Sequence, residues 1–140
     1  MPNDDNCIFC KIVRKEVQAP ILYEDEYTLA FLDIRPASPL GGHTLVIPKN
    51  HYVTIVDIPN EELYSVIETV RKLSSALMKF ALGVNILQNN GKSAGQFIMH
   101  AHFHIIPRFE DDGITIEKWK TKQYKEGEVE EVLKKIKSLL

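Results

Sequence analysis

The segment from Met99 to Phe109 alternates His100, His102 and His104 with Ala101, Phe103 and Ile105 before running into Ile106, Pro107 and Arg108. Successive side chains of a β-strand point to opposite faces. The alternation therefore predicts a strand with three imidazoles on one face and small or apolar groups on the other. Neighbouring imidazoles on that face would stand roughly 6 to 7 Å apart. Desolvating three imidazoles side by side costs free energy, so the arrangement calls for a functional partner. Two uses are open: a metal site made by the three histidines themselves, or one reacting ring whose neighbours ligate a metal or relay hydrogen bonds.

A chain of 140 residues is the size of one domain and can bury a core without disulfides. With 26% charged residues and a net charge of -2, it lacks the basic excess that phosphate-backbone binding requires, so no nucleic-acid polymer is expected as partner. A small phosphorylated ligand fits this balance. No stretch reaches the roughly 18 consecutive apolar residues of a membrane span, and the polar start from Met1 to Asn6 is unlike a signal peptide. The expected location is the cytoplasm, with no membrane partner.

The two cysteines stand as Cys7-Ile8-Phe9-Cys10. Two cysteines make no disulfide framework, whereas Cys-x-x-Cys commonly supplies half of a tetrahedral zinc site. Redox use is the alternative, although no thioredoxin-like βαβ pattern follows.

Taken in order, Cys7 to Val13 reads as a turn or brief helix. Ile21 to Glu24 and Thr28 to Asp33 read as a hairpin turning at Asp25 and Glu26. Pro36, Pro39, Gly41 and Gly42 force a loop before a strand from His43 to Pro48. Leu63, Val66, Ile67, Val70, Leu73, Leu77, Phe80 and Ala81 recur at helical spacing, with Asp57 or Asn60 as cap and Gly83 as stop. Val84 to Gln88 is a strand, Asn89 to Gly95 a loop, and Gln96 to Phe109 the long histidine strand. A last helix is expected near Glu128 to Leu139. The whole is an α+β fold: a mainly antiparallel five-stranded sheet, one long covering helix and a C-terminal helix. It forms a single domain over 1–140, with a core at about 7–109 and an extension at 110–140.

Cys7, Cys10, His51 and His100 can form a Cys-Cys-His-His zinc site, which leaves His102 free as the middle, reactive imidazole. A neutral imidazole attacks phosphorus without first losing a proton when its other nitrogen donates to a backbone carbonyl that fixes the tautomer. His104 and His43 can extend that network. The loop from Asn89 to Gln96 brings amides and Lys92 near a phosphate or leaving group, and Asp33 can accept from a ribose diol beside an apolar slot.

Together with these residues, Tyr23-Glu24-Asp25, Ala30-Phe31-Leu32-Asp33-Ile34, Gly42-His43-Thr44-Leu45-Val46-Ile47-Pro48-Lys49 and Gly95-Gln96 give a resemblance to the histidine triad (HIT) proteins. Within them the chain looks most like the Hint branch of nucleoside phosphoramidases. The resemblance implies a HIT-like fold, with the sheet extended across a homodimer. It implies that His102 forms a covalent nucleotidyl-histidine, which water hydrolyses to a nucleoside monophosphate of the AMP type. Asp33 would bind the ribose, and Ile8, Phe9, Ile12, Phe31 and Ile34 would line a purine pocket. Asn89, Gln96 and His104 would contact phosphate oxygens or the leaving group, His43 would support the histidine network, and Cys7, Cys10, His51 and His100 would hold a structural zinc. Phe97 departs from the pattern, standing where the Hint branch has serine and many relatives threonine. Two rivals remain, a dinucleoside polyphosphate hydrolase and a non-catalytic nucleotide-binding module.

Overall fold

The computed structural model describes residues 4–116 and 118–140. Its strands are β1 (Ile21–Glu24), β2 (Thr28–Leu32), β3 (Thr44–Pro48), β4 (Gly83–Gln88) and β5 (Phe103–Arg108), and its helices are α1 (Ile8–Val13), α2 (Asn60–Phe80) and α3 (Glu128–Lys137). The five strands form one sheet in the order β1-β2-β3-β5-β4, every neighbouring pair antiparallel. The α+β architecture expected from the sequence is the one observed.

Two apolar layers sandwich the sheet, and strand periodicity assigns each residue to one of them. Ala30, Val46, Phe103 and Ile105 face α2 and pack with Val66 and Val70. Leu29, Phe31, Leu45 and Ile47 face the other way, against Phe9 and Ile12 of α1 and the cysteines beside them. His104 pairs with Leu45 in the β3–β5 register. The alternation that buries Phe103 and Ile105 under α2 thus turns His104 toward α1.

The histidine strand is shorter than its pattern predicts. The expected span was Gln96 to Phe109, but β5 begins at Phe103, so His100 and His102 lie in the irregular segment before it. The backbone there has partners outside any ladder: Ala101 N–H donates to the Tyr52 carbonyl at 2.6 Å, and the Gln96 side chain donates to the carbonyls of Val53 and Ile98. The expected caps of α2 also differ. Pro59 is its N-cap and Ala81 its C-cap, while Asp57 sits in a preceding 3₁₀ turn and accepts from the Thr54 hydroxyl. Gly83 opens β4 and does not stop the helix. Periodicity locates a helix body well, but its ends depend on local backbone geometry. Ile67 and Phe80, two members of the helical recurrence, are exposed.

At the end of β5, Arg108 holds the following chain in place. Its guanidinium donates to both carboxylate oxygens of Asp112, to the Asn85 side chain and to the Ile114 carbonyl. Helix α3 follows, with Val129, Val132, Leu133 and Ile136 exposed along its apolar side. Among the described residues no helix is long and apolar enough to cross a membrane.

Ile105 is fully buried between the β3 and α2 side chains, so Ile105→Ala should cost about 3 kcal/mol of stability. The measurement is a lower midpoint of urea unfolding at an unchanged slope.

Candidate active site

The site begins at the first turn of α1. Cys7 caps that helix, its sulfur accepting the Cys10 N–H at 3.4 Å, and the three-residue spacing brings both thiols to one side. His100 Nδ1 lies 3.4 Å from Cys7 Sγ and 3.6 Å from Cys10 Sγ, and His51 Nδ1 lies 3.4 Å from Cys10 Sγ. All four ligand atoms fall within 4.8 Å of one another. Tetrahedral bonds of about 2.0 to 2.3 Å require separations of roughly 3.3 to 3.8 Å, so the set fits an ion with little movement. The remaining ring nitrogens are arranged to match. His100 Nε2–H donates to the Pro48 carbonyl at 2.8 Å, which leaves Nδ1 with its lone pair toward the sulfurs. His51 Nε2 lies 3.9 Å from the Asp4 carboxylate. Cys7, Cys10, His51 and His100 could therefore hold a metal ion.

The backbone of the same His100 fixes the next histidine. Its carbonyl lies 2.7 Å from His102 Nδ1, and a carbonyl only accepts, so Nδ1 carries the proton and Nε2 keeps its lone pair. The His102 and His104 ring centroids are 5.0 Å apart, closer than the spacing expected of neighbours on one flat strand. Phe9 stands edge-on to both His100 and His102, at 5.8 and 5.3 Å between centroids, and so fills the space between the possible metal cluster and the second ring.

A second chain of bonds fixes His104. Ala37 N–H is an obligatory donor, and it meets His43 Nδ1 at 2.9 Å. His43 then carries its proton on Nε2, which donates to His104 Nδ1 at 2.9 Å. His104 is left with an Nε2–H for the hollow its ring lines. Adjacent rings thus carry opposite equipment, a lone pair on His102 Nε2 and a donor on His104 Nε2. Burial lowers the His43 and His102 pKa values and takes His104 to about 4, so the rings are neutral near pH 7. Asp33, 4.0 Å from His43 Nε2, pulls the other way but does not outweigh burial.

Two hollows adjoin at Phe9, Asp33 and Leu45, and His102 and His104 line one of them. One, of about 240 Å³, is lined by Ile8, Phe9, Ile12, Phe31, Asp33 and Ile34 together with Val17, Ala19 and Leu45. The other, of about 250 Å³, contains His102, His104, Gly95, Phe97 and Ile98 and shares Phe9, Asp33 and Leu45 with the first. Every residue read from the sequence as lining a base pocket borders the first hollow. Gln96 and Asn89 border neither. The buried Gln96 amide donates to Val53 and Ile98 and accepts from Gly91 N–H, so its functional groups hold the loop together. Asn89 reaches the Gly95 carbonyl at 3.4 Å. The parts that sequence reasoning missed are mostly backbone: the Pro48 carbonyl, the N–H of Ala37, and the identity, His100, of the carbonyl expected to fix the His102 tautomer. The side chains of Leu45, Val17 and Asp4 were also missed, although Leu45 falls on the Phe31 face by simple alternation.

Comparison with known proteins agrees with this geometry. A HIT domain model matches residues 14–111. The chain is 41% identical over 116 residues to the adenosine 5'-monophosphoramidase of Saccharomyces cerevisiae, covering 83% of this chain and 71% of that one. Its fold is similar to the crystal structure of a HIT family member from Bacillus subtilis, with a TM-score of 0.88 at 39% identity over 97% of this chain and 98% of the other. It is also similar to a zinc-bound histidine triad family protein from Mycobacterium smegmatis, with a TM-score of 0.73 at 38% identity over 83% and 84%. With the domain model spanning most of the chain and a relative 41% identical over 83% of it, the chain belongs to the HIT-domain proteins.

Proposed function

We propose that the chain is a nucleotide hydrolase that cleaves purine nucleoside 5'-phosphoramidates through His102. The observation that carries the reading is the tautomer of His102, held with Nδ1–H on the His100 carbonyl and Nε2 left with its lone pair, on a ring that lines a hollow sharing Phe9, Asp33 and Leu45 with an apolar slot. The relative named adenosine 5'-monophosphoramidase supports the choice of substrate.

In this reaction the base lies among Ile8, Phe9, Ile12, Phe31 and Ile34, and Asp33 accepts from the ribose hydroxyls. In the first step His102 Nε2 bonds to phosphorus. The bond from phosphorus to the leaving nitrogen breaks, and that nitrogen departs with the electron pair and takes a proton from solvent. In the second step a water oxygen bonds to phosphorus, the bond to Nε2 breaks, and one water proton returns to solvent. The sum is one water consumed, one amine and one nucleoside monophosphate released. His104 Nε2–H donates to a phosphoryl oxygen, where charge accumulates, and His43 holds the donor in register. Gln96 and Asn89 act by shaping the loop beside the phosphate.

Cys7, Cys10, His51 and His100 would hold zinc, which would supply a structural cross-link between α1 and the segment carrying His102. The zinc-bound relative supports that identity. A homodimer is also part of the reading. It is supported by β4 at the sheet edge and by the exposed Ile67, Met78 and Ile86, which form an apolar groove beside that edge.

Three measurements test this reading. His102→Ala should abolish turnover of an adenosine 5'-phosphoramidate while AMP still binds, and rapid quenching should give an adenylate-sized mass gain in the wild type alone; turnover surviving in the variant would exclude the mechanism. Metal analysis should find one zinc per chain, lost in the Cys7→Ser/Cys10→Ser variant. The third is acid sensitivity. With its pKa lowered from 6.5 to about 4, His104 stays neutral in the fold while the unfolded chain takes up a proton between those values, and the lowered His43 acts in the same sense. Their contribution is full above pH 6.5 and is lost as the pH falls toward 4, so the melting temperature should decline over that window more steeply than in His43→Gln/His104→Gln.

A further inference from the structure

The peptide unit between His100 and Ala101 is planar, so its carbonyl and its N–H turn together. The carbonyl receives His102 Nδ1–H at 2.7 Å, and the N–H donates to the Tyr52 carbonyl at 2.6 Å. The plane that sets the His102 tautomer is thus held from behind by Tyr52. With that hold slackened, the plane would rotate, its oxygen would swing away from the ring, and either imidazole nitrogen would carry the proton. Bonds in such a row also polarise one another, so the Tyr52 carbonyl strengthens the acceptor in front of it.

Tyr52 lies in the connection from β3 to α2. That connection receives Ala101 N–H on Tyr52 and the Gln96 amide on Val53, and its Ile55 N–H donates to the Asn90 side chain. It also carries His51 of the cysteine-histidine cluster. Two side chains tie it to α2. The Tyr52 hydroxyl donates to Glu62 Oε1 at 2.9 Å, and the Asn50 amide donates to both Glu62 oxygens at 3.2 and 3.3 Å. Glu62 stands in the first turn of α2, where the helix dipole favours a negative charge, and a bond to a carboxylate is stronger than one between neutral groups. Burial and the bond to Glu62 both raise the Tyr52 pKa, so the hydroxyl keeps its proton and remains the donor. Tyr52 and Glu62 border neither of the two hollows.

We propose that Glu62, acting through Tyr52, is a positioning residue for His102: their side-chain bond fixes the connection whose backbone carbonyl orients the His100–Ala101 peptide, and so selects the nitrogen with which His102 attacks. The inference rests on the reading of His102 as the attacking ring and adds what holds that ring in its reactive form.

The test uses the full chain as isolated, as wild type, Tyr52→Phe, Glu62→Ala, Glu62→Gln and the Tyr52→Phe/Glu62→Ala double variant, with folding checked by thermal melting. Nitrogen-15 spectra of the histidine rings report which nitrogen is protonated, the His102 signals being identified by their loss in His102→Ala. Steady-state kinetics on an adenosine 5'-phosphoramidate give kcat and KM. Tyr52→Phe and Glu62→Ala should each move the His102 signals toward a mixture of tautomers and lower kcat about tenfold, with KM within about twofold of the wild type. Glu62→Gln keeps an acceptor oxygen and should recover most of both. The double variant should fall no further than the worse single one, because the two groups share one contact. Unchanged His102 signals in a folded Tyr52→Phe overturn the inference whatever the change in melting, as does a fully additive loss in the double variant. Tyr52→Phe removes a single hydroxyl, so it decides the matter even where Glu62→Ala fails to fold. A wild type that turns over no phosphoramidate, with the signals shifting as expected in the variants, overturns the phosphoramidase reading and leaves the positioning standing.

Discussion

Much of the site depends on one hydrogen bond, from the Nδ1–H of His102 to the carbonyl of His100. That bond decides which nitrogen of His102 keeps a lone pair. The acceptor belongs to a residue whose side chain is already committed elsewhere, with Nε2–H on Pro48 and Nδ1 among the two cysteines and His51. His100 therefore couples the cysteine-histidine cluster to the ring beside it through its own backbone. Phe9, edge-on to both rings, closes the gap and carries the same rigidity to the apolar slot. A disturbance at α1 would reach slot, cluster and His102 together.

The fold and the grouping of Cys7, Cys10, His51 and His100 were largely legible in the sequence, for identifiable reasons. Alternation at Phe103, His104 and Ile105 located a strand and sorted its faces, and helical spacing from Leu63 to Leu77 located α2. The cysteine pair, His51 and His100 could be grouped because few residue types bind a soft cation and few of them occur here. What could not be read was where regular structure yields to irregular backbone. The pattern carried the strand back to Gln96, yet the N–H of Ala101 and the carbonyls of Val53 and Ile98 have partners that a one-dimensional pattern does not contain. The caps of α2 eluded the reading for the same reason. The carbonyls and N–H groups that choose the tautomers have no signature in residue identity at all.

Gln96 illustrates a distinction that resemblance alone does not make. Family likeness marks it as a residue of the site, and its burial accords with importance. Its amide is nevertheless spent on Gly91, Val53 and Ile98, and its contribution is the shape of the loop that presents Phe97. A residue can be tied to a site by what it holds still.

The bonds that run from Ala37 through His43 to His104 end on a peptide N–H. A peptide nitrogen does not surrender its proton near neutral pH, so nothing at the far end can replace a proton that His104 gives away. Donation from His104 would leave an imidazolate at His43, a charge this buried pair is poorly equipped to carry. The row of rings is consequently an anchor and not a wire. It aims a dipole and conducts nothing, and proton traffic in the site has to pass through the open, solvent-facing side at Phe97.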